Sequence, residues 1–257
     1  MRDRPGILPL FYTQKDSRLI FGSEVKAVLC GVGARPEMDL QGLDQLFTFW
    51  APFSPRTLFS GVSELPPGHM AVFENGRLNV RAYWDWRFPE DGDYSAAPEE
   101  ELAGQLHDLL IDATRLRLRS DVPVGAYLSG GLDSSILASL IHQYGGVPVR
   151  TFSIGFEDRN LDESDFQQQL IRHLGADHSS IQCRNSDIAR EFEHSIWHTE
   201  SAILRTAPVP MGILSSLVHD QDYKVVLTGE GADEVFGGYD IFNEAKIRSF
   251  WASNSDS

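Results

Sequence analysis

Cysteine is scarce in this sequence, with Cys30 and Cys183 the only two in 257 residues. They make no C-x-x-C pair, so spacing offers no cysteine-based metal site. One bridge would be a sparse framework for a secreted chain, and both are read as reduced core thiols of a cytoplasmic protein. Basic residues are also few: 22 Lys and Arg stand against 37 Asp and Glu, a net charge of −15. A nucleic acid needs a basic surface, so no such partner is expected. No apolar run approaches the roughly 18 residues of a membrane span. The N-terminus has no apolar core segment of a signal peptide, and no membrane association is expected. There is no internal repeat, no low-complexity tract, and no G-x-x-x-x-G-K-[ST] phosphate loop. What remains is an ordinary globular composition, long enough for one main domain and part of another.

Residues 1–84 read as β-rich with short helices. A strand over 5–12, a turn at 14–17 and a strand over 18–22 predict an opening hairpin. Ser23 is placed to cap a helix over 23–29, and Asp39 to cap one over 39–49. Asn75-Gly76 is the strongest hairpin turn signal, between strands at 70–73 and 78–80. Residues 85–98 are polar, acidic and Pro-bearing, and serve as the expected linker. From Pro98 the rhythm changes. A long helix opens with Glu99, Glu100 and Glu101, with Leu102, Leu106, Leu109, Leu110, Ala113 and Leu116 as its apolar face. Strands at 124–128, 149–154, 178–182 and 224–227 then alternate with helices at 133–144, 163–174, 186–197, 210–218 and 232–236. This alternation predicts an α/β domain, a mostly parallel sheet with flanking helices.

The chemistry concentrates in the loop Ser129-Gly130-Gly131-Leu132-Asp133-Ser134-Ser135, between a strand and a helix. The glycines let the backbone turn sharply and approach a phosphate. The helix start offers unpaired N–H groups and a positive dipole end, and three serines add hydroxyls. A carboxylate such as Asp133 beside a polyphosphate makes sense if it holds Mg²⁺. Lacking the P-loop lysine, the loop suits a different cleavage, in which it grips departing pyrophosphate while a carboxylate attacks the α-phosphate of ATP.

A second constellation runs over residues 227–239, where a hydrophobic strand enters a Gly-rich acidic loop. Loops at the carboxyl ends of parallel strands share one crevice, so Glu230, Asp233 and Glu234 can face the 129–135 loop. Such carboxylates repel unless a metal or a cationic group offsets them. Strand 151–156 is core, its end able to touch an adenine. His178, His194 and His198 show no obvious ligand spacing. Arg205 either meets an anion or is an ordinary surface arginine.

Taken together, residues 121–135 and 227–234 resemble the two synthetase signatures of the glutamine-dependent asparagine synthetase family. Residues 2–12 and 21–27 look like the tail of its glutaminase domain, and 65–69 with Tyr83-Trp84 like the joining segment. The resemblance implies a PP-loop domain (adenine-nucleotide alpha-hydrolase-like) over 99–257, preceded by the last part of an α+β N-terminal-nucleophile glutaminase over 1–84. It implies that the β-carboxylate of aspartate attacks Mg-ATP, giving β-aspartyl-AMP and pyrophosphate, and that ammonia, normally supplied from glutamine, displaces AMP. By motif position, residues 129–135 would bind pyrophosphate, with Leu128 and Ile154 near the adenosine. Thr228 and Gly229 would line the nucleotide site, Asp133 and Asp233 would hold Mg²⁺, and Glu230 would support adenylation or the ammonia step. A homodimer is an admissible assembly. The family's glutaminase begins with a catalytic Cys, whereas residue 1 here is Met, so glutaminase activity is expected to be absent. The synthetase segment is expected to be truncated at its C-terminus. Two other readings stay open: a related PP-loop amidotransferase or β-lactam-type synthetase acting on another carboxylate, and a non-catalytic truncated remnant.

Overall fold

The first strand pair is joined by a two-residue turn at Asp16 and Ser17, shorter than the spacing predicts. The computed structural model describes residues 1–33, 35–89 and 93–253, so residues 90–92 of the expected linker and the last four residues of the expected synthetase segment lie outside it. The chain divides into two compact units. One comprises Met1–Ser95 with Glu191–Pro208, and the other Ala96–Arg190 with the residues from Val209 onward.

In the first unit, β1 (Phe11–Lys15) pairs antiparallel with β2 (Arg18–Gly22), and α1 (Val25–Val32) and α2 (Leu40–Phe49) follow. β1 also pairs with the short β3 (Ser63–Glu64). The strand expected over 5–12 begins only at Phe11. Pro5 and Pro9 have no N–H for a ladder. The Arg2 guanidinium moreover donates to the carbonyls of Gly6 (3.0 Å), Leu8 (3.1 Å) and Leu65 (2.8 Å) and pairs with Glu64 (2.7 Å). Asp39 caps α2 as expected, accepting from Gly42 N at 2.8 Å. Ser23 does not cap α1. Its first amides, Val25 N and Lys26 N, instead donate to the Glu200 carboxylate at 2.6 and 2.7 Å. Val25, Val28 and Val62 form the core here, with Phe11, Ile20, Leu29 and Phe59 against them. The Asn75-Gly76 turn joins β4 (His69–Glu74) to β5 (Arg77–Ala82), both turn residues at positive φ, as a tight hairpin requires.

The second unit opens with α3 (Glu99–Arg117) and continues through β6 (Val124–Tyr127), α4 (Leu132–Tyr144), β7 (Arg150–Phe156), α5 (Ser164–Leu174) and β8 (Asp177–Cys183). After α6 (Asn185–Thr199), whose C-terminal part belongs to the first unit, come α7 (Pro208–Asp220), β9 (Val225–Leu227), α8 (Ala232–Phe236) and α9 (Asp240–Ser253). The four strands form one parallel sheet in the order β8-β7-β6-β9, as the alternation predicts.

Helices cover both faces of that sheet. Ala126 and Val149 pack with Ile141 of α4, and Leu128 packs with Ala138 of α4 and Leu174 of α5. On the other face Phe152, fully buried, packs with Leu214 and Val218 of α7. Burial of such a ring contributes about 1.5–3 kcal/mol. Gly125 makes the space for it, since a Cβ there would lie 2.7 Å from the Phe152 ring.

In the second unit, α3 and α9 depart from expectation. The apolar face of α3 stays largely open, with Leu109 67% exposed, because the helix is anchored near its end. There Thr114 is buried, Arg115 Nε donates to Tyr144 O, and Leu118, just beyond the helix, joins the α4 cluster. Helix α9 was not expected, since its sequence shows little helical periodicity; Ile241, Ile247 and Trp251 are exposed. Among the described residues no helix is long and apolar enough to cross a membrane.

Candidate functional site

Strand order locates the site. The chain runs outward from β6 to β7 and β8, then returns to the opposite side of β6 as β9. The order therefore reverses between β6 and β9, and a crevice opens beyond the carboxyl ends of strands at such a point. The loops that follow these two strands are the two motifs read from the sequence.

After β6, Leu128 extends the strand with an N–H bond to Phe152 O at 2.9 Å. The chain then turns through Gly130 at φ +97°. Ser129 and Ser134 place their hydroxyl oxygens 2.9 Å apart. Ser134 Oγ accepts from Ser129 N at 3.2 Å, and Ser129 Oγ from Gly131 N at 3.1 Å. Ser135 Oγ donates to Gly131 O at 2.6 Å. The hydroxyls thus brace the loop itself. Among the described residues, no protein group accepts from the N–H of Gly130, Leu132, Asp133 or Ser134. The last three open α4, where amides have no intrahelical acceptor. Four unpartnered donors in five residues, at the positive end of a thirteen-residue helix, are groups that could receive an anion.

After β9, the loop at 228–231 rests on this helix start. A Cβ on Gly229 would lie 2.9 Å from Asp133 Cβ and 3.2 Å from Ser134 N, so this approach requires glycine. Between the loops lies a cavity of about 280 Å³. Of the residues expected at the site, Leu128, Ser129, Asp133, Ser134, Ile154, Thr228, Gly229, Glu230 and Asp233 line it. Gly130, Gly131, Leu132 and Ser135 do not; they shape the turn, and the Leu132 side chain is exposed. Glu234 also stands outside the lining, with its Oε1 accepting from Tyr239 OH at 3.1 Å.

Sequence reasoning missed Tyr127, Met211, Leu214, Gly231 and Tyr239, which complete the lining. Met211 and Leu214, three apart on α7, carry a helical-face signal. Tyr127 is the last residue of β6, beside Leu128. Gly231 and Tyr239 stand within the 227–239 constellation, but nothing local assigned either of them a place on the site. Burial raises the pKa of the Tyr127 phenol, partly offset by a hydrogen bond with Ser215. Tyr239 is also raised, first by its hydrogen bond to Glu234, then by loss of water and the charges of Glu234, Asp233 and Glu230. With Asp133, Glu230 and Asp233 on its lining the cavity is acidic, and a polyphosphate entering it would require a counter-charge.

Asp133 and Asp233 are the residues that could hold that counter-charge as a cation. Among the described residues there is no cluster of three or more His, Cys, Asp or Glu able to bind a metal alone. Two carboxylates on one cavity fit Mg²⁺, which takes one or two carboxylates and completes its shell with phosphate oxygens and water.

The remaining sequence candidates have other roles. His178 bridges Thr151 Oγ1 and Ser153 Oγ through its two ring nitrogens, at 2.9 and 3.0 Å. His194 and His198, one turn apart on α6, bring their Nε2 atoms to 3.1 Å, a proximity that their i, i+4 spacing dictates. Arg205 lies 3.7 Å above the Trp50 ring, a cation–π contact.

Two family models match the chain: one described as glutamine amidotransferase domain over residues 1–84, and one described as asparagine synthase over 105–256. Amidase chyE of Penicillium rubens is 35% identical over 257 residues, covering 94% of this chain and 38% of that protein. Asparagine synthetase [glutamine-hydrolyzing] 3 of Bacillus subtilis is 31% identical over 268 residues, covering 96% and 42%. Amidase chry2 of Gibberella zeae is 32% identical over 257 residues, covering 94% and 38%. The chain thus spans about two fifths of the length of these relatives. With the β6 and β9 loops joined in one cavity and the asparagine synthase model matched across both, this chain belongs to the asparagine synthase family.

Proposed function

We propose that this chain carries the ATP site of a ligase that activates a carboxylate as an acyl-adenylate and amidates it, with aspartate as the acceptor and asparagine as the product. The observation that carries the reading is the single cavity in which the unpartnered amides of α4, Asp133 and the 228–233 loop meet. Kinship with asparagine synthetases supports it.

In this reading the adenosine lies against Leu128 and Ile154, and Thr228 and Gly229 line the nucleotide. The N–H groups of residues 130 and 132–134 receive the pyrophosphate. An oxygen of the aspartate β-carboxylate attacks the α-phosphorus as the bond to the bridging oxygen of pyrophosphate breaks. Negative charge builds on the leaving group, where fixed amides stabilise it without reorganising. Asp133 and Asp233 would hold Mg²⁺, which when bound would supply further charge neutralisation. Ammonia, drawn normally from glutamine, then attacks the acyl carbon. AMP leaves, and the nitrogen sheds a proton, with Glu230 the nearby carboxylate able to assist.

A second reading keeps the chemistry and changes the acceptor to another carboxylate. The two amidases, at 35% and 32% identity, favour it. Product analysis decides among these. The purified chain is incubated with Mg-ATP, ammonium and either aspartate or a panel of other carboxylic acids. AMP, pyrophosphate and asparagine, all lost in Asp133→Ala, support the first reading. The same nucleotide products with another acid alone support the second. ADP and phosphate would sink the adenylation chemistry. ATP binding without turnover would point to a non-catalytic remnant.

A further inference from the structure

Gln167 lies in the first turn of α5, is 3% exposed, and does not line the cavity. Its carboxamide reaches the loop after β6 and strand β7 at once. Nε2 donates to Ser129 O at 3.1 Å and to Ile154 O at 3.3 Å. Ser129 and Ile154 both line the cavity, one in the phosphate loop and the other on the wall assigned to adenosine. The same end of α5 meets the loop at a second point. A Cβ on Gly130 would lie 3.2 Å from Glu163 Cβ and 3.3 Å from Phe166 Cβ.

A trans peptide points its carbonyl and its N–H in opposite directions. Fixing the Ser129 carbonyl toward Gln167 therefore fixes the Gly130 N–H away from it. That N–H is one of the four unpartnered donors of the loop. Without the tie, the peptide is free to flip and present its carbonyl oxygen, which repels phosphate. The tie to Ile154 also sets the span between the two ends of the bound nucleotide.

We propose that Gln167 is a positioning residue, whose NH₂ group aims the Gly130 amide at the pyrophosphate and holds the phosphate loop at a set distance from Ile154. This rests on the nucleotide reading of the cavity. Two substitutions test it in the full chain. Gln167→Met keeps the volume and removes the donor. Gln167→Glu places a carboxylate against two carbonyls at high pH, and a buried carboxyl has a raised pKa, so protonation restores one donor as pH falls. Affinities for Mg-ATP and for magnesium pyrophosphate are measured from pH 8 to pH 6, with hydrogen exchange followed at residues 129–135 and in β8. Expected are at least tenfold weaker binding of both ligands in Gln167→Met, faster exchange confined to the loop, and partial recovery of Gln167→Glu as the pH falls. Protonation would relieve a general loss of stability as well, so the deciding sign is that the faster exchange stays in residues 129–135 while β8 keeps its rates. Binding of both ligands within twofold of the unaltered chain, with unchanged loop exchange, would overturn the proposal. If the unaltered chain binds neither ligand, the nucleotide reading falls instead. Loop exchange then decides Gln167 alone: acceleration in Gln167→Met keeps its hold on the loop, and equal rates remove it.

Discussion

Gly229 and Asp133 stand at van der Waals limit, so that a single methyl group on Gly229 would come within 2.9 Å of Asp133 Cβ. Residues nearly a hundred positions apart thus fix each other's place. Gly229→Ala should force the 228–231 loop off the helix start. The expected result is a stability loss of about 1–3 kcal/mol together with at least tenfold weaker ATP binding, read by urea unfolding and by calorimetric titration. Ordinary ATP affinity in a stable Gly229→Ala chain would show that the two loops are not coupled.

Asp133→Asn tests the cation. The change keeps the side chain's size but removes one of the three carboxylates on the cavity, Asp133, Glu230 and Asp233. Mg²⁺-dependent turnover should fall by a hundredfold or more, with an unfolding midpoint close to the original. ATP affinity measured without Mg²⁺ should hold steady or tighten, because a negative charge has left the phosphate site. Equal turnover in both chains would remove Asp133 from the reaction.

Glu200 is a helix cap supplied from far along the chain. Its side chain, 10% exposed, accepts two amides of α1 and meets Lys26 Nζ at 3.3 Å. Burial of Lys26 opposes its charge, yet hydrogen bonds to Glu24 and Glu200 raise its pKa on balance. Glu200→Ala should cost about 1–3 kcal/mol, the penalty for orphaned buried donors. Four of the five tryptophans (Trp50, Trp84, Trp86, Trp197) lie in the first unit, so fluorescence during urea unfolding reads the loss there. An unchanged transition would mean that water replaces the cap without loss.

His178 predicts acid sensitivity. Burial lowers its pKa, Arg150 lowers it further, and Asp177 opposes them. A histidine with a depressed folded pKa leaves the unfolded chain binding more protons. Its contribution is therefore complete above the unfolded value near 6.5 and is lost as pH falls below it. Between pH 7.5 and 5.5 the unfolding free energy should decline by up to about 1.4 kcal/mol per pH unit from this group. The lowered carboxyls of Asp3, Asp39, Asp162 and Asp187 act in a separate window, below about 4. A His178→Gln chain should show a shallower slope from 7.5 to 5.5, and an identical slope would assign the effect elsewhere.

What could be read from sequence follows the range of each interaction. The strand–loop–helix at 124–140 and the acidic loop after Leu227 were legible, because periodicity, glycines and caps act within a few residues. Their meeting in one crevice was legible too, since parallel topology constrains where loops emerge. Glu200 was invisible as a cap because its partners lie 175 and 174 positions away, and Ser23 offered a plausible local substitute. Gln167 was hidden likewise, as a glutamine in an amphipathic helix gives no sign that it is buried. The late start of β1 could have been inferred from Pro5 and Pro9, had proline been weighed above the run of apolar residues between them. The open face of α3 lies beyond any pattern, for periodicity reports which side is apolar and not whether anything covers it.

Strand β9 lies at the sheet edge and touches β6 through only three residue pairs, Val124 with Val225, Gly125 with Val226 and Ala126 with Leu227. One wall of the cavity therefore hangs from a three-residue edge strand, held to the sheet on one side only. A molecule bridging the 129–135 and 228–233 loops closes the β6–β9 seam from above, adding its own binding energy to the pairing. In the proposed reading a bound nucleotide would also act as mortar. Saturating ATP should protect the β9 amides from hydrogen exchange more than those of β7 and β8, and starvation for ATP would leave the same edge as the place where the domain first comes apart.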